Sequence, residues 1–314
     1  MAGVWSSIRY LLADFIGDDD AAPPFLPDGL PDAVAPIASE GIERLIDYQG
    51  PGYAQLYVDR LKRFVGRRGV DDLLFGEIAR LMALRMSYDD PIRIAQTKLA
   101  ELDAGAAKAT ARSPDDVKKF RWDELVEALP AAVADPVLGV LDWVGWLHRP
   151  VSIRFSTASR FGIRRLKIEA GFRRWRLFSV RYAAERAWVE RWLHMIDRAL
   201  TKQPQAAPEI VQTATMIHGY GDVYRRGLAD WHLIIDSLAK PTFDGALALP
   251  DLAGAIREAR AAALPDPRQA ALRRKIADIR ARAVPRTQRS VERLRNGSAK
   301  RHEECRIAPG TPDR

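Results

Sequence analysis

The sequence predicts an all-α protein, a multi-helix globular bundle with at most one short β hairpin or edge strand. Through most of the chain, apolar residues recur at intervals of three and four, which places them on one face of a helix. Only residues 151–159 alternate apolar and polar side chains as a strand does. Hydrophobic residues are 47% of the 314 residues, enough apolar surface for a sizeable core.

The chain ends are predicted to differ from the body. Residues 1–17 have helical apolar spacing interrupted by Arg9 and Asp14, which predicts a short amphipathic helix and not a signal peptide. Residues 18–37 are rich in Asp and Pro, which favours an extended linker. A helical domain is predicted over residues 38–284. Residues 285–314 have few large apolar residues, which predicts a disordered basic tail.

In the first half, a helical segment from Ser39 to Phe64 is broken by Gly50-Pro51-Gly52. Apolar spacing predicts the next helix over residues 71–90, and Pro91 ends it and suits the first turn of another. Ser113-Pro114-Asp115 predicts a further helix entry, with helical structure continuing to Arg149.

In the second half, residues 183–200 place Trp188, Trp192 and neighbouring apolar residues on one broad face, which predicts a core helix. Further helices are predicted to end near His218 and to span residues 222–238, 250–263 and 268–283. Gly219-Tyr220-Gly221 is a weak dinucleotide motif, because no third glycine follows in register. Gly219 is instead predicted to close a helix, with Asp222 capping the next.

Composition narrows the functions available to the chain. Lys and Arg outnumber Asp and Glu by 49 to 41, which favours anionic partners. Cys305 is the only cysteine, so the chain itself offers neither a disulfide nor a four-thiolate iron–sulfur site, and a reducing cytoplasm fits best. The histidines have no ligand at metal-binding spacing, and no apolar run is long enough to predict a membrane span.

Residues 160–191 combine ten Lys and Arg residues with six aromatic residues. Arginine can pair with phosphate or carboxylate, and aromatic rings can stack on bases, so an anion-binding or nucleic-acid-binding segment is one interpretation. The other is a solvated helical face, or an interface to an acidic subunit, in which arginine stems cover apolar surface. The candidate anion-binding residues are Arg164, Arg165, Arg173, Arg174 and Arg176.

A second polar constellation surrounds the helix junction at Pro91. Charges spaced as in Asp89 and Arg93 usually form surface ion pairs, although clustered ionisable groups and a tyrosine at a junction can also line a pocket. Together with residues of two neighbouring segments, the candidate pocket or interface comprises Tyr48, Arg85, Tyr88, Asp89, Arg93, Lys98, His218, Tyr220, Asp222 and Arg225.

Four ordered segments resemble the helical domain that ends the β subunit of indolepyruvate:ferredoxin oxidoreductase. They are YQGPGYAQLYVDRL at 48–61, EIARLMALRMSYDDPIRIAQTK at 77–98, FRRWRLFSVRYAAE at 172–185 and IHGYGDVYRRG at 217–227. In that family the domain follows a Rossmann-like domain, whereas the residues ahead of Tyr48 have no alternating strand–helix pattern that would predict one. The resemblance implies a complex that uses thiamine diphosphate, iron–sulfur clusters and coenzyme A, carried by other chains.

The leading hypothesis is therefore a non-catalytic accessory domain that binds a thiamine-dependent α subunit, supporting assembly or the entry of substrate and coenzyme. The first alternative is a stand-alone helical protein that binds an anionic ligand or nucleic acid through residues 160–191. The second is a self-sufficient enzyme with a pocket around Tyr88, Arg93, Tyr220 and Asp222. No catalytic residue, cofactor or metal is assigned to this chain from its sequence.

Overall fold

The helical fold predicted from the sequence is confirmed. The computed structural model describes residues 23–105, 115–129, 131–156, 160–263, 266 and 268–283. The expected helix at 1–17, the first residues of the linker and the tail at 285–314 lie outside these residues. The first described helix begins at Ala35, within the segment predicted as linker.

Three helices open the main body: α1 (Ala35–Tyr48), α2 (Pro51–Leu61) and α3 (Asp72–Met86). The predicted break between α1 and α2 lies at Gly50, whose φ of 145° is strained for any residue with a side chain. Pro51 then occupies the first turn of α2, where its missing N–H costs no hydrogen bond. Asp71 caps α3, its carboxylate accepting a hydrogen bond of 2.8 Å from the backbone N–H of Leu74.

The middle of the chain contains the two described strands. Its elements are α4 (Pro91–Gly105), β1 (Asp115–Arg121), α5 (Trp122–Glu127), α6 (Ala131–Trp143), β2 (Pro150–Ser156) and α7 (Arg160–Gly171). The strands form one antiparallel pair, with Phe120 opposite Val151 and Lys118 opposite Ile153. The strand predicted at 151–159 is confirmed as far as Ser156, and residues 157–159 lie outside the described residues. The helix entry predicted at Ser113-Pro114-Asp115 is wrong, because Asp115 begins β1. Pairing with β2 satisfies the backbone of β1 and directs Phe120 inward, which the polar composition of this segment did not indicate.

The rest of the chain is helical. A 3₁₀ helix spans Phe172–Phe178 and leads into the long helix α8 (Val180–Lys202). There follow two short 3₁₀ turns (Pro204–Ala206 and Thr213–Met216), α9 (Ala207–Gln212), α10 (Gly221–Ile234), a π-helical turn (Ile235–Ala239), α11 (Lys240–Phe243), α12 (Leu252–Ala261) and α13 (Ala270–Ala281).

Two separate apolar cores hold these elements. The main core joins α1–α3 to α8–α13 and is centred on the indoles of Trp188, Trp192 and Trp231, the first two stacked 6.0 Å apart. The small core lies between α4, the two strands and α7. Its buried members are Ala95, Phe120, Phe155 and Leu166. Within the described residues, the helices are too short or too polar to cross a lipid bilayer.

Candidate functional site

The guanidinium of Arg176 lies at the junction of the two cores and is 1% exposed. Its Nε and Nη2 donate to the two carboxylate oxygens of Asp90 at 2.7 and 3.0 Å, a bidentate pair. Nη1 donates to the backbone carbonyl of Tyr48 at 2.8 Å, and the Tyr48 ring lies 3.9 Å from the guanidinium carbon. Asp90 also accepts from the backbone N–H of Arg93, so it caps α4 as well. We call this arrangement the Arg176 clamp.

Tyr48 and Tyr88 pack against each other beside the clamp, with ring centroids 5.7 Å apart. Both rings are buried, and within the described residues neither hydroxyl has a hydrogen-bond partner. Burial raises the pKa of both tyrosines well above the ordinary value, because an ionised phenolate would lose its hydration. Both residues therefore remain neutral phenols at any physiological pH, which does not suit either of them to act as a base.

A second buried network lies deeper in the main body and is built around Glu185. Arg85 Nη2 donates to one carboxylate oxygen at 2.6 Å, and Arg181 Nε donates to the other at 3.2 Å. Arg85 also donates to the carbonyl of Ile217, and the guanidinium of Arg181 lies 3.8 Å from the ring centre of Tyr224. These contacts connect α3, α8 and α10 through charge-assisted hydrogen bonds.

A third, more exposed cluster lies at the start of α10. Arg225 contacts Asp123, Glu124 and Asp222 at 3.0–3.3 Å, and the hydrogen bond from Arg225 lowers the pKa of Asp222. The cap predicted at Asp222 is wrong, because α10 begins one residue earlier and Tyr220 occupies the N-cap position. Gly219 does adopt the predicted left-handed conformation, with φ of 69°. It does not close a helix as predicted, because the preceding 3₁₀ turn ends three residues earlier, at Met216.

The candidate pocket residues are brought only partly together. Asp89 and Tyr220 line one small cleft beside the Arg176 clamp, but its volume is only about 20 Å³. Tyr48, Tyr88 and Arg93 do not line that cleft, and Asp222 and Arg225 belong to the neighbouring cluster. A cleft of this volume has room for about one water molecule and none for an organic substrate.

Three candidates lie elsewhere. Arg85 belongs to the Glu185 network, whereas Lys98 lies along α4, 3.4 Å from Glu101. His218 is exposed and lines a separate groove between α10 and α12. No group of His, Cys, Asp or Glu residues in the described ranges is placed to hold a metal ion. The buried charges therefore fix the helices relative to one another. The described clefts that they line, beside the Arg176 clamp and beside Glu185, have room for at most about one water molecule.

The basic segment 160–191 is divided between the interior and the surface. Arg176 is buried in its clamp, so it does not have the predicted role of binding an external anion. Arg164 and Arg165 are exposed on α7, Arg173 is half-buried, and the side chain of Arg174 lies outside the described part. The candidates therefore do not form one continuous face, and anion binding by the exposed Arg164 and Arg165 stays a prediction.

Two helices present apolar residues to solvent, a feature that the sequence interpretation missed. On α6 and the residue after it, Val133, Val137, Val140 and Val144 recur at helical spacing, and Trp143 beside them is 86% exposed. We call this set the α6 stripe. The sequence signal for this stripe is the apolar segment 130–147, which lies within the helical structure predicted up to Arg149.

The outer face of α7 is apolar and cationic at once. Phe161, which is 80% exposed, and Ile168 lie seven residues apart on the same side of the helix, with Arg164 and Arg165 between them. The opposite side turns Leu166 into the small core. We call the outward set the α7 face.

The fold and these surfaces define a helical protein with a small two-stranded sheet, strongly cross-linked by buried arginine–carboxylate pairs. The chain belongs to the family of unknown function DUF6537, whose model matches residues 34–237. The match begins one residue before α1 and ends within the π-helical turn, so it includes the small core, the Arg176 clamp, the α6 stripe and the α7 face. The part of the main core that α11–α13 contribute lies beyond the match. Comparisons with the curated proteins and with the solved structures find no match.

Proposed function

We propose that this protein is a non-catalytic accessory domain of an indolepyruvate oxidoreductase-like system and binds the thiamine-dependent catalytic chain. The observation that carries the proposal is the exposed apolar surface of the α6 stripe and the α7 face. Soluble proteins seldom leave aligned apolar side chains on two helices in water unless another molecule covers them. The four sequence segments that resemble the oxidoreductase domain supply the identity of the proposed partner.

The chemistry of the α7 face favours a partner surface that is both apolar and acidic. Phe161 and Ile168 would fill apolar depressions, and Arg164 would pair with a carboxylate beside them, a combination found in protein interfaces. The net charge of +8 would favour encounter with such a surface. In this proposal, thiamine diphosphate, iron–sulfur clusters and coenzyme A are bound by the catalytic chain.

The proposal is tested by co-expressing the tagged protein with a thiamine-dependent, cysteine-rich oxidoreductase chain from the same genome. We expect the two chains to co-purify and to elute as one complex. Substituting Trp143→Ser or Phe161→Ser should weaken the complex by roughly tenfold or more, because truncating a central aromatic contact commonly has such an effect. Binding can be measured by biolayer interferometry.

Phe25→Ser is the matched control, since Phe25 is 88% exposed but lies on neither helix. This variant should bind as the wild type does, and all three variants should keep the wild-type circular dichroism spectrum. If the chains fail to associate, or if Trp143→Ser and Phe161→Ser both leave the affinity unchanged, the proposed docking surface is wrong.

The second candidate, a nucleic-acid-binding protein, is favoured by the exposed Trp175 and Phe178 near the α7 face. It predicts that a labelled oligonucleotide binds at low salt and dissociates steeply as salt rises, because arginines displace counterions from phosphates. Against it, Arg176, Arg181 and Arg191 of the same segment are paired with Asp90, Glu185 and Asp236. The accessory-domain proposal predicts no shift of the oligonucleotide at low ionic strength.

A further inference from the structure

A groove of about 590 Å³ lies between α10, α12 and the 3₁₀ turn at 213–216, away from the Arg176 clamp. Its apolar wall is formed by Met216, Val223, Ala261 and Ala263. No phenylalanine, tyrosine or tryptophan is among the described lining residues, so the wall suits an aliphatic chain better than a flat aromatic ring. The volume is within the range of sites that take small organic molecules.

The base of this groove is a close backbone contact at Gly227. A Cβ atom at this position would lie 2.1 Å from the backbone carbonyl oxygen of Met216, so α10 can approach the 213–216 turn only because residue 227 has no side chain. The groove is therefore formed by a tight backbone contact between two elements of the main body.

The polar wall of the groove carries an excess of positive charge. Arg226, Arg257 and Arg260 line it, together with Asp230. Arg257 and Arg260 both form salt bridges with Glu209, at 2.8 and 2.9 Å. Three arginines thus face two carboxylates, which leaves one positive charge uncompensated.

Among the described lining residues, Arg226 is the arginine that no carboxylate contacts directly. Within the described residues it has no hydrogen bond and no carboxylate within 4.0 Å, although it acts electrostatically on Asp230 one helical turn away. Asp230 is itself held by Gln269, whose amide donates to it at 2.6 Å. The Arg226 guanidinium is therefore free to pair with an anionic group that enters the groove.

We propose that this groove binds an aliphatic monocarboxylate, with the carboxylate on Arg226 and the chain along Met216, Val223 and Ala263. The single uncompensated charge matches one carboxylate. The aliphatic wall would gain free energy from each methylene that it removes from water. The site shares no residue with the α6 stripe or the α7 face, so it stands independently of the proposed function.

The test is isothermal titration calorimetry of the full chain with octanoate and with octanamide, its neutral counterpart. We expect octanoate to bind at one site and octanamide to bind at least about tenfold more weakly, since only the acid can pair with Arg226. Arg226→Gln should weaken octanoate binding by a similar factor, and Arg226→Lys should restore part of it.

Arg68→Gln is the control, because Arg68 is an exposed arginine that does not line the groove. Ala261→Glu, at the solvent-exposed edge of the wall, adds a negative charge and should abolish binding without disturbing the core. Equal binding of the acid and the amide would overturn the proposal, as would undetectable octanoate binding or an Arg226→Gln variant with wild-type affinity.

Discussion

Replacing Arg176 by methionine is expected to destabilise the protein by about 3–5 kcal/mol, the range found when one partner of a buried ion pair is removed. Asp90 would remain buried with its charge, and the carbonyl of Tyr48 would lose its donor. The unfolding midpoint in urea, followed by tryptophan fluorescence, measures the change.

Combining Arg176→Met with Asp90→Asn should recover part of that loss. The amide of asparagine carries no charge and can still accept the hydrogen bond that caps α4, so the cap is kept while the unpaired charge is removed. Arg63→Met is the control, because the contact of Arg63 with Glu190 is at the surface and should contribute less than about 1 kcal/mol. Equal midpoints for Arg176→Met and Arg63→Met would contradict the importance assigned to the clamp.

Gly227→Ala is the second substitution for which we expect a large loss, about 2–3 kcal/mol. Alanine normally stabilises a helix relative to glycine, by about 0.5–1 kcal/mol. Here the new Cβ would meet the Met216 carbonyl oxygen at 2.1 Å, and the backbone atom cannot turn aside as a flexible side chain would. Separation of α10 from the 213–216 turn would also widen the groove between α10 and α12.

Gly139→Ala provides the matched comparison. Gly139 lies within α6, and a Cβ there would meet nothing within 4 Å. This variant should therefore be as stable as the wild type or slightly more so, in the direction opposite to that of Gly227→Ala. Thermal denaturation of the two variants compares them directly, and a stable Gly227→Ala variant would show that the turn can move at little cost.

The fold was largely predictable because its signals are local. Pro91 after Asp90 and Pro51 after Gly50 mark the starts of α4 and α2, and Trp188 and Trp192 recur at helical spacing on α8. The strand at Asp115–Arg121 was missed because its partner is about 35 residues further along the chain. The order of polar and apolar residues within this segment does not indicate which strand it pairs with.

The site was less predictable because its contacts are distant in sequence. Asp90 and Arg176 are 86 residues apart, and Arg85 and Glu185 are 100 apart, so neither pairing can be inferred from spacing. The arginines of residues 160–191 look alike in the sequence, yet Arg176 is buried and Arg164 is exposed. Arg225 pairs with carboxylates, whereas its neighbour Arg226 lines the groove. The surrounding sequence does not distinguish these two adjacent arginines, so Arg226 was not predicted as a site residue.

The presence of two unequal cores bears on how denaturation curves should be interpreted. Among the described residues, four buried side chains hold α4, the strands and α7 together, whereas the main body has an extensive apolar interior. The smaller unit can unfold locally at a lower free energy than the main body. Hydrogen exchange shows such separately unfolding units within single chains of other proteins. The calorimetric enthalpy should then exceed the van't Hoff value, and a single transition midpoint would describe only the larger unit.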